Sequence, residues 1–171
     1  KQCGVKKDWE KTHIDSVCNL VDAKNGTAIN LLDGLTAIKE YDKIAFYKPS
    51  KTASADSTIP FGLGQHIIAN KKITIEKVTD LTDKNQLKNG FYGDLDKISK
   101  GSVIRLKLDG DRFTKFGGGT KNLSDFLTDK KIPLRLRNNL PVLANQNDVL
   151  AVFGVAISQK IKVDDNTKNI I

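Results

Sequence analysis

Apolar side chains recur at helical spacing near the start of the chain. Trp9, His13, Val17 and Val21 stand four apart, with Ile14 and Cys18 beside them. This period predicts a helix over 7–24, stopped at Asn25-Gly26, residues that tolerate left-handed backbone. "TAINLL" and "LTAIKE" then predict two strands joined at Asp33-Gly34 by a turn of type I′ character. "KIAFY" (43–47) predicts a third. Residues 48–58 are small and polar and predict a loop. "HIIAN" and "KITIEKV" predict two more strands. The polar stretch 80–90 is the expected connection between two modules, 1–88, beginning with the helix, and 89–171.

In the second module, "GSVIRLKL" alternates Val103, Arg105 and Lys107 with Ile104, Leu106 and Leu108. It predicts a half-buried strand with one apolar and one basic face. Gly117, Gly118 and Gly119 follow, and then Leu123, Phe126 and Leu127 fall at i, i+3 and i+4 with Ser124 and Asp125 outward. That helix should end at Ile132-Pro133, because proline disfavours helical geometry in the residue before it. "LPVLANQNDVLAVFGVAIS" predicts two apolar strands around a polar turn. The expected fold class is α+β: two small mixed helix/strand modules, the second a β-sheet with a Gly-rich loop leading into a short helix.

Composition narrows the class. With 171 residues, 39% hydrophobic and 28% charged, the chain can bury a core. It has no apolar run of membrane-spanning length, so no membrane partner is expected. Two cysteines, Cys3 and Cys18, without a CxxC pair exclude a Cys-rich zinc site and set no disulfide framework. They read as free thiols of a cytoplasmic protein. No methionine is present, so the chain is expected to be a piece of a longer one.

The net charge of +8 is unevenly laid out. Residues 97–137 hold seven lysines and four arginines against four acidic groups, and Arg105, Arg112, Arg135 and Arg137 are all the arginines of the chain. Guanidinium groups suit bidentate contact with phosphates and base edges. A glycine loop lets backbone approach a partner closely, and a helix start offers free N–H groups to an anion. The candidate polyanion site is therefore Arg105, Lys107, Arg112, Lys115, Gly117, Gly118, Gly119, Lys121, Lys130, Lys131, Arg135 and Arg137. In "RLR", Leu134 and Leu136 are expected to seat inward and leave both arginines outside. The local pattern alone equally fits a flexible turn, and the P-loop spacing is absent.

Other chemistry is sparse. His13 and His66, the only histidines, have no partner at metal-ligand spacing, so no metal site is assigned. Asp109 and Asp111 flank Gly110 as turn-formers, and no catalytic residue is assigned. Trp9 is expected in the core. Phe113 and Phe116 border the basic loop, where they either pack inside or stack on RNA.

The stretch from Gly93 to Ser158 resembles the C-terminal domain of the bacterial tRNA(Ile)-lysidine synthase family. The matching elements are Gly110-Asp111-Arg112-Phe113, the Gly-rich loop, Lys121, Leu123, Asp125-Phe126, Lys131-Ile132-Pro133, Arg137, Pro141 and Val152-Phe153-Gly154. "NGTAINLLDGLTAIKEYDKIAF" looks more weakly like the family's middle domain. Asn122, Ala151 and Ala156 depart from the pattern, where relatives carry a second basic residue, tryptophan and arginine.

The resemblance implies a ligase of tRNA modification. The family uses ATP, with Mg²⁺, to attach lysine to the wobble cytidine of an isoleucine tRNA. Its ATP loop, Ser-Gly-Gly-x-Asp-Ser, is not in this chain; Ser54-Ala55-Asp56-Ser57 lacks the glycines. The implied role is that of accessory domains without the catalytic one. They would hold the acceptor stem and anticodon arm and work with the N-terminal adenylation domain of the full-length chain. No cofactor is expected in this fragment, and homo-oligomerisation is left open. Two alternatives stand beside this one: a stand-alone RNA or polyanion-binding module, and a protein-interaction domain with a basic face. Preference for cognate tRNA, equal binding of any polyanion, or no RNA binding at physiological salt separates the three.

Overall fold

The computed structural model describes residues 9–49, 58–78 and 91–171. The chain divides into two compact units, 1–52 and 53–171. The connection expected at 80–90 and most of the 48–58 loop lie outside the described residues, as does Cys3.

In the first unit, helix α1 is Lys11–Asn19, shorter than the 7–24 expected. Beyond it the backbone tightens: Leu20 and Val21 donate to the carbonyls of Val17 and Cys18, three residues back. This is the usual way a helix end satisfies its last carbonyls. No residue of α1 is buried. The buried anchor is Leu20, at the C-cap, while Ile14 and Val21 are exposed. Trp9 is not in the core either. It stands 37% exposed, with its ring edge-on to His13 at 6.2 Å.

Strands β1 (Ala28–Asn30), β2 (Thr36–Glu40) and β3 (Lys43–Tyr47) form an antiparallel sheet in that order. The turn between β1 and β2 has Asp33 at φ 57° and Gly34 at φ 70°, and the Leu35 N–H donates to Leu32 O. These are the left-handed central residues of a type I′ turn. Leu20, Leu31, Leu35 and Ala37 make the small core, with Val17, Ala23, Ile29 and Ile44 against it.

The second unit contains β4 (Ile59–Pro60), β5 (Gly64–Ile68), β6 (Lys71–Ile75), β7 (Val103–Leu106), β8 (Arg112–Thr114) and β9 (Thr120–Asn122). Helices α2 (Leu123–Asp129) and α3 (Leu134–Arg137) follow, then β10 (Pro141–Asn145), β11 (Asp148–Val152) and β12 (Ala156–Ile157). The main sheet runs β4-β7-β10-β11-β8-β9, with β12 also on β11. Its pairs are antiparallel except β8 with β11. Helices and mixed sheets make the class α+β, as expected.

Both faces of this sheet are covered. On one, Ile104, Leu106, Leu143 and Ala151 pack with Ile68, Ile73 and Ile75 of the β5–β6 hairpin and with Ile161. On the other, Val142, Ala144, Val149 and Val152 pack with Phe113, Leu140 and the α2 residues Leu123, Phe126 and Leu127. The hairpin over 64–75 thus belongs to the second unit's core. The contacts divide the chain at 52/53, whereas the boundary expected from composition, at 88/89, lies among residues outside those described.

The C-terminal segment is tied to the turn Leu95–Lys97. Gly93 and Ile171 exchange backbone hydrogen bonds at 2.9 and 3.0 Å. The Thr167 hydroxyl donates to Asp94 at 2.7 Å, and Lys97 bridges Asp94 and Asp164. Burial pushes the Asp94 carboxyl up, but the bonds from Thr167, Lys97 and the Asp96 N–H hold it below its ordinary value.

Candidate nucleic-acid interface

The basic window resolves into two kinds of cation. The first lies at the Asp109-Gly110-Asp111 turn. Asp111 is 1% exposed and accepts from the Leu108 N–H at 2.9 Å. Its two oxygens receive the two terminal nitrogens of Arg105 at 2.9 and 2.7 Å. Arg105 donates again to the carbonyls of Gln146, at 2.8 Å, and Leu106, at 3.0 Å. This bidentate, buried pair consumes the guanidinium. Lys107, its side chain nearly buried, sets its ammonium 3.5 Å from Asp109.

Neither Arg105 nor Lys107 therefore belongs to an exposed basic face. Strand β7 lies between β4 and β10 with both sheet faces packed, so alternation along it does not leave one side to solvent. Asp111 escaped the sequence reading as an ion-pair partner. Its signal was a short turn six residues after a lone arginine in an apolar run.

The second kind lies between β8 and α3. Strands β8 and β9 pair Arg112 with Asn122, Phe113 with Lys121 and Thr114 with Thr120. The glycines therefore sit in a hairpin loop at the sheet edge, not directly before the helix. Gly117 adopts φ 63° and Gly118 lies under the folded-back Lys115 side chain. Phe113 faces inward against Phe126, ring centroids 4.3 Å apart, and is no stacking platform. Phe116 is 52% exposed at the loop. Arg112 is exposed on β8.

Helix α2 starts after β9, and the Asn122 side chain accepts the Ser124 N–H at 2.8 Å. The expected anion site, a free helix start immediately behind the glycines, is thus replaced by a capped one. Asn122, one of the three departures from the family pattern, is that cap.

The cations gather instead at the other end of α2. Lys131 and Ile132 donate to Thr128 O and Leu127 O, each at 2.9 Å, with Lys131 at φ 54°. This is a Schellman ending with lysine where glycine is usual. Arg137 closes it from outside, donating from Nε to Ile132 O and from a terminal nitrogen to the Thr128 hydroxyl, both at 2.8 Å.

Arg137 and Arg135 are half-buried on α3, while Leu134 is 65% exposed and Leu136 38%. The inward leucines and outward arginines of the sequence expectation are reversed. In one helical turn the anchored Arg137 decides which side faces α2. Lys130 stands 5.9 Å from the Phe126 ring centroid. Lys121 forms an ion pair with Asp129, and hydrogen bonding from Lys121 holds the Asp129 carboxyl below its ordinary value, helped by the nearby charge of Lys115. Lys130, Lys131 and Arg137 thus stand at the C-terminal end of α2, where Lys121 and, by its charge, Lys115 act on the Asp129 carboxylate.

Residues 103–171 match the family described as the TilS substrate C-terminal domain. Over most of its length the chain is similar to tRNA(Ile)-lysidine synthases. The protein of that name from Clostridium tetani is 31% identical over 96% of this chain and 37% of its own length. That from Caldanaerobacter subterraneus subsp. tengcongensis is 30% identical over 95% of this chain and 36% of its own. A solved structure described as the TILS C-terminal domain covers 88% of this chain and 90% of its own, at 18% identity and a TM-score of 0.39, too loose a likeness to add weight. The chain spans little more than a third of the length of these curated relatives and is similar to a C-terminal part of them.

Proposed function

We propose that residues 112–137 hold tRNA for the lysine-attaching reaction of a tRNA(Ile)-lysidine synthase. The observation that supports this most is the set of cations around the C-terminal end of α2, beside the glycine hairpin, inside the segment that matches the family. Phosphate contacts of this kind fix the register of an RNA without reading its sequence. The acceptor stem is the part of the tRNA assigned to the second unit, and the anticodon arm to the first. The site set is Arg112, Lys115, the loop of Gly117, Gly118 and Gly119, Lys121, Lys130 and Lys131, with Arg135 and Arg137 at its edge.

No chemical step is assigned to these residues. Among the described residues no three His, Cys, Asp or Glu side chains stand together to hold a metal, and the chain has no ATP-loop motif. In this proposal ATP and Mg²⁺ belong to the adenylation domain of the full-length enzyme, in the cytoplasm. No helix of the described residues is long and apolar enough to cross a membrane.

The test is tRNA affinity and melting temperature measured together. Arg112→Ala should weaken binding by about 1–3 kcal/mol with no change in melting, and Lys24→Ala, outside the basic window, should change neither. Equal losses from both variants contradict the assignment.

A further inference from the structure

The carboxylate paired with Lys121 is out of place. Asp129 closes α2, where the negative end of the helix dipole disfavours an acid. It caps nothing there, since the Schellman bonds run to Leu127 O and Thr128 O. Its side chain is 61% exposed and that of Lys121 29%, and an exposed lysine–carboxylate pair adds little to stability. Yet it sits where it occupies Lys121 and draws on the charge of Lys115. Asp125, also on α2, lies in the first turn, where the dipole favours an acid.

Building on the tRNA-holding function above, we propose that Asp129 is an intramolecular competitor for RNA phosphate. It holds Lys121 in an ion pair that an incoming backbone phosphate must displace, and so sets affinity below what the cations alone would give. The exchange is one anion for another on the same ammonium, with no covalent step. Water and a solution cation take up the released carboxylate. An RNA presenting several phosphates in a fixed array can open the pair, whereas an isolated anion gains nothing by replacing a carboxylate already in place.

The 171-residue chain and an isoleucine tRNA transcript suffice for the test. Asp129→Asn should bind about 3- to 10-fold more tightly, the effect of removing one unit charge a few ångströms from one or two phosphates. Its log-affinity against log-salt slope should steepen by about 0.7–0.9, one phosphate contact. Asp125→Asn makes the same change in net charge and should gain less than about 2-fold. In Lys121→Ala/Asp129→Asn the gain over Lys121→Ala should shrink, since the freed ammonium is gone. Melting temperatures should stay at the wild-type value throughout. If wild type binds with a steep salt dependence but Asp129→Asn is no tighter than Asp125→Asn, the competitor role is wrong and the tRNA-holding function stands. If wild type shows no salt-dependent binding, the tRNA-holding function itself is wrong and the competitor falls with it.

Discussion

Two ion pairs stand within one short segment of this chain and have opposite characters. Arg105–Asp111 is buried, bidentate and joined to two backbone carbonyls. Lys121–Asp129 is exposed and rests on one ammonium. In sequence both read as basic residues near an acid. Burial separates them. A desolvated pair is locked, because neither partner can be left alone in a low dielectric. An exposed pair costs little to open. The same window of charge therefore holds a buried pair at one end and an exposed one at the other.

The sharpest way to break this comparison is Arg105→Ala. It leaves Asp111 buried without its partner and should cost about 3–5 kcal/mol of stability, read as a large fall in melting temperature. The tRNA affinity of the remaining folded molecules should be unchanged. Stability near that of wild type would show that the pair is not a structural lock.

Arg137→Ala sits between the two classes. It removes two hydrogen bonds at the end of α2 and should cost about 1–2 kcal/mol in chemical denaturation. Because it also stands among the cations proposed to hold tRNA, its affinity loss should exceed that expected from unfolding alone. If loss of binding only tracks loss of folding, Arg137 is purely structural.

How far this was legible in the sequence differs between elements. The type I′ turn at Asp33-Gly34, the β5–β6 hairpin and the buried face of α2 follow from local residue chemistry. They depend on nothing distant, and they match. The burial of Arg105 depends on β4 and β10 flanking its strand, and no period within "VIRLKL" reports that. The sequence puts the glycine loop directly before a helix because three residues of an edge strand, Thr120–Asn122, are too few to show alternation. For "RLR", extended or short-helical, the alternation puts the leucines inward, whereas its orientation is set by hydrogen bonds from Arg137 to Ile132 O and to Thr128 of α2. Likewise nothing local in 64–75 reports that Ile68, Ile73 and Ile75 pack with Ile104, Leu143 and Ala151 of strands far along the chain.

Smaller effects sharpen the contrast further. Lys131→Gly relieves a left-handed lysine and should stabilise the protein by about 0.5–1 kcal/mol. If Lys131 also meets phosphate, affinity should fall in the same variant, separating the two roles in one experiment. A variant that is less stable would contradict the strain.

Acid should act on the C-terminal clasp. The Asp94 carboxyl is held low by its partners despite burial, and that of Asp164 by Lys97. Their stabilisation is present above the ordinary carboxylate value of about 4 and is lost as pH falls below it toward the folded value. Denaturation followed from pH 6 to pH 2 should show this loss, with a shallower acid slope in Asp94→Asn. An unchanged slope would remove the clasp from the acid response.

The salt dependence of tRNA binding by the wild-type chain tests the central claim most directly, because locked and exchangeable cations differ in whether they release counterions. With Arg105 and Lys107 excluded, seven cations of the site remain, and five of them (Arg112, Lys115, Lys121, Lys130 and Lys131) lie outside the half-buried pair Arg135 and Arg137. Taking one phosphate for each of those five, the slope of log affinity against log salt should be about −3.5 to −4.5. A slope near zero would mean that the cations around the end of α2 are solvated surface and hold no RNA.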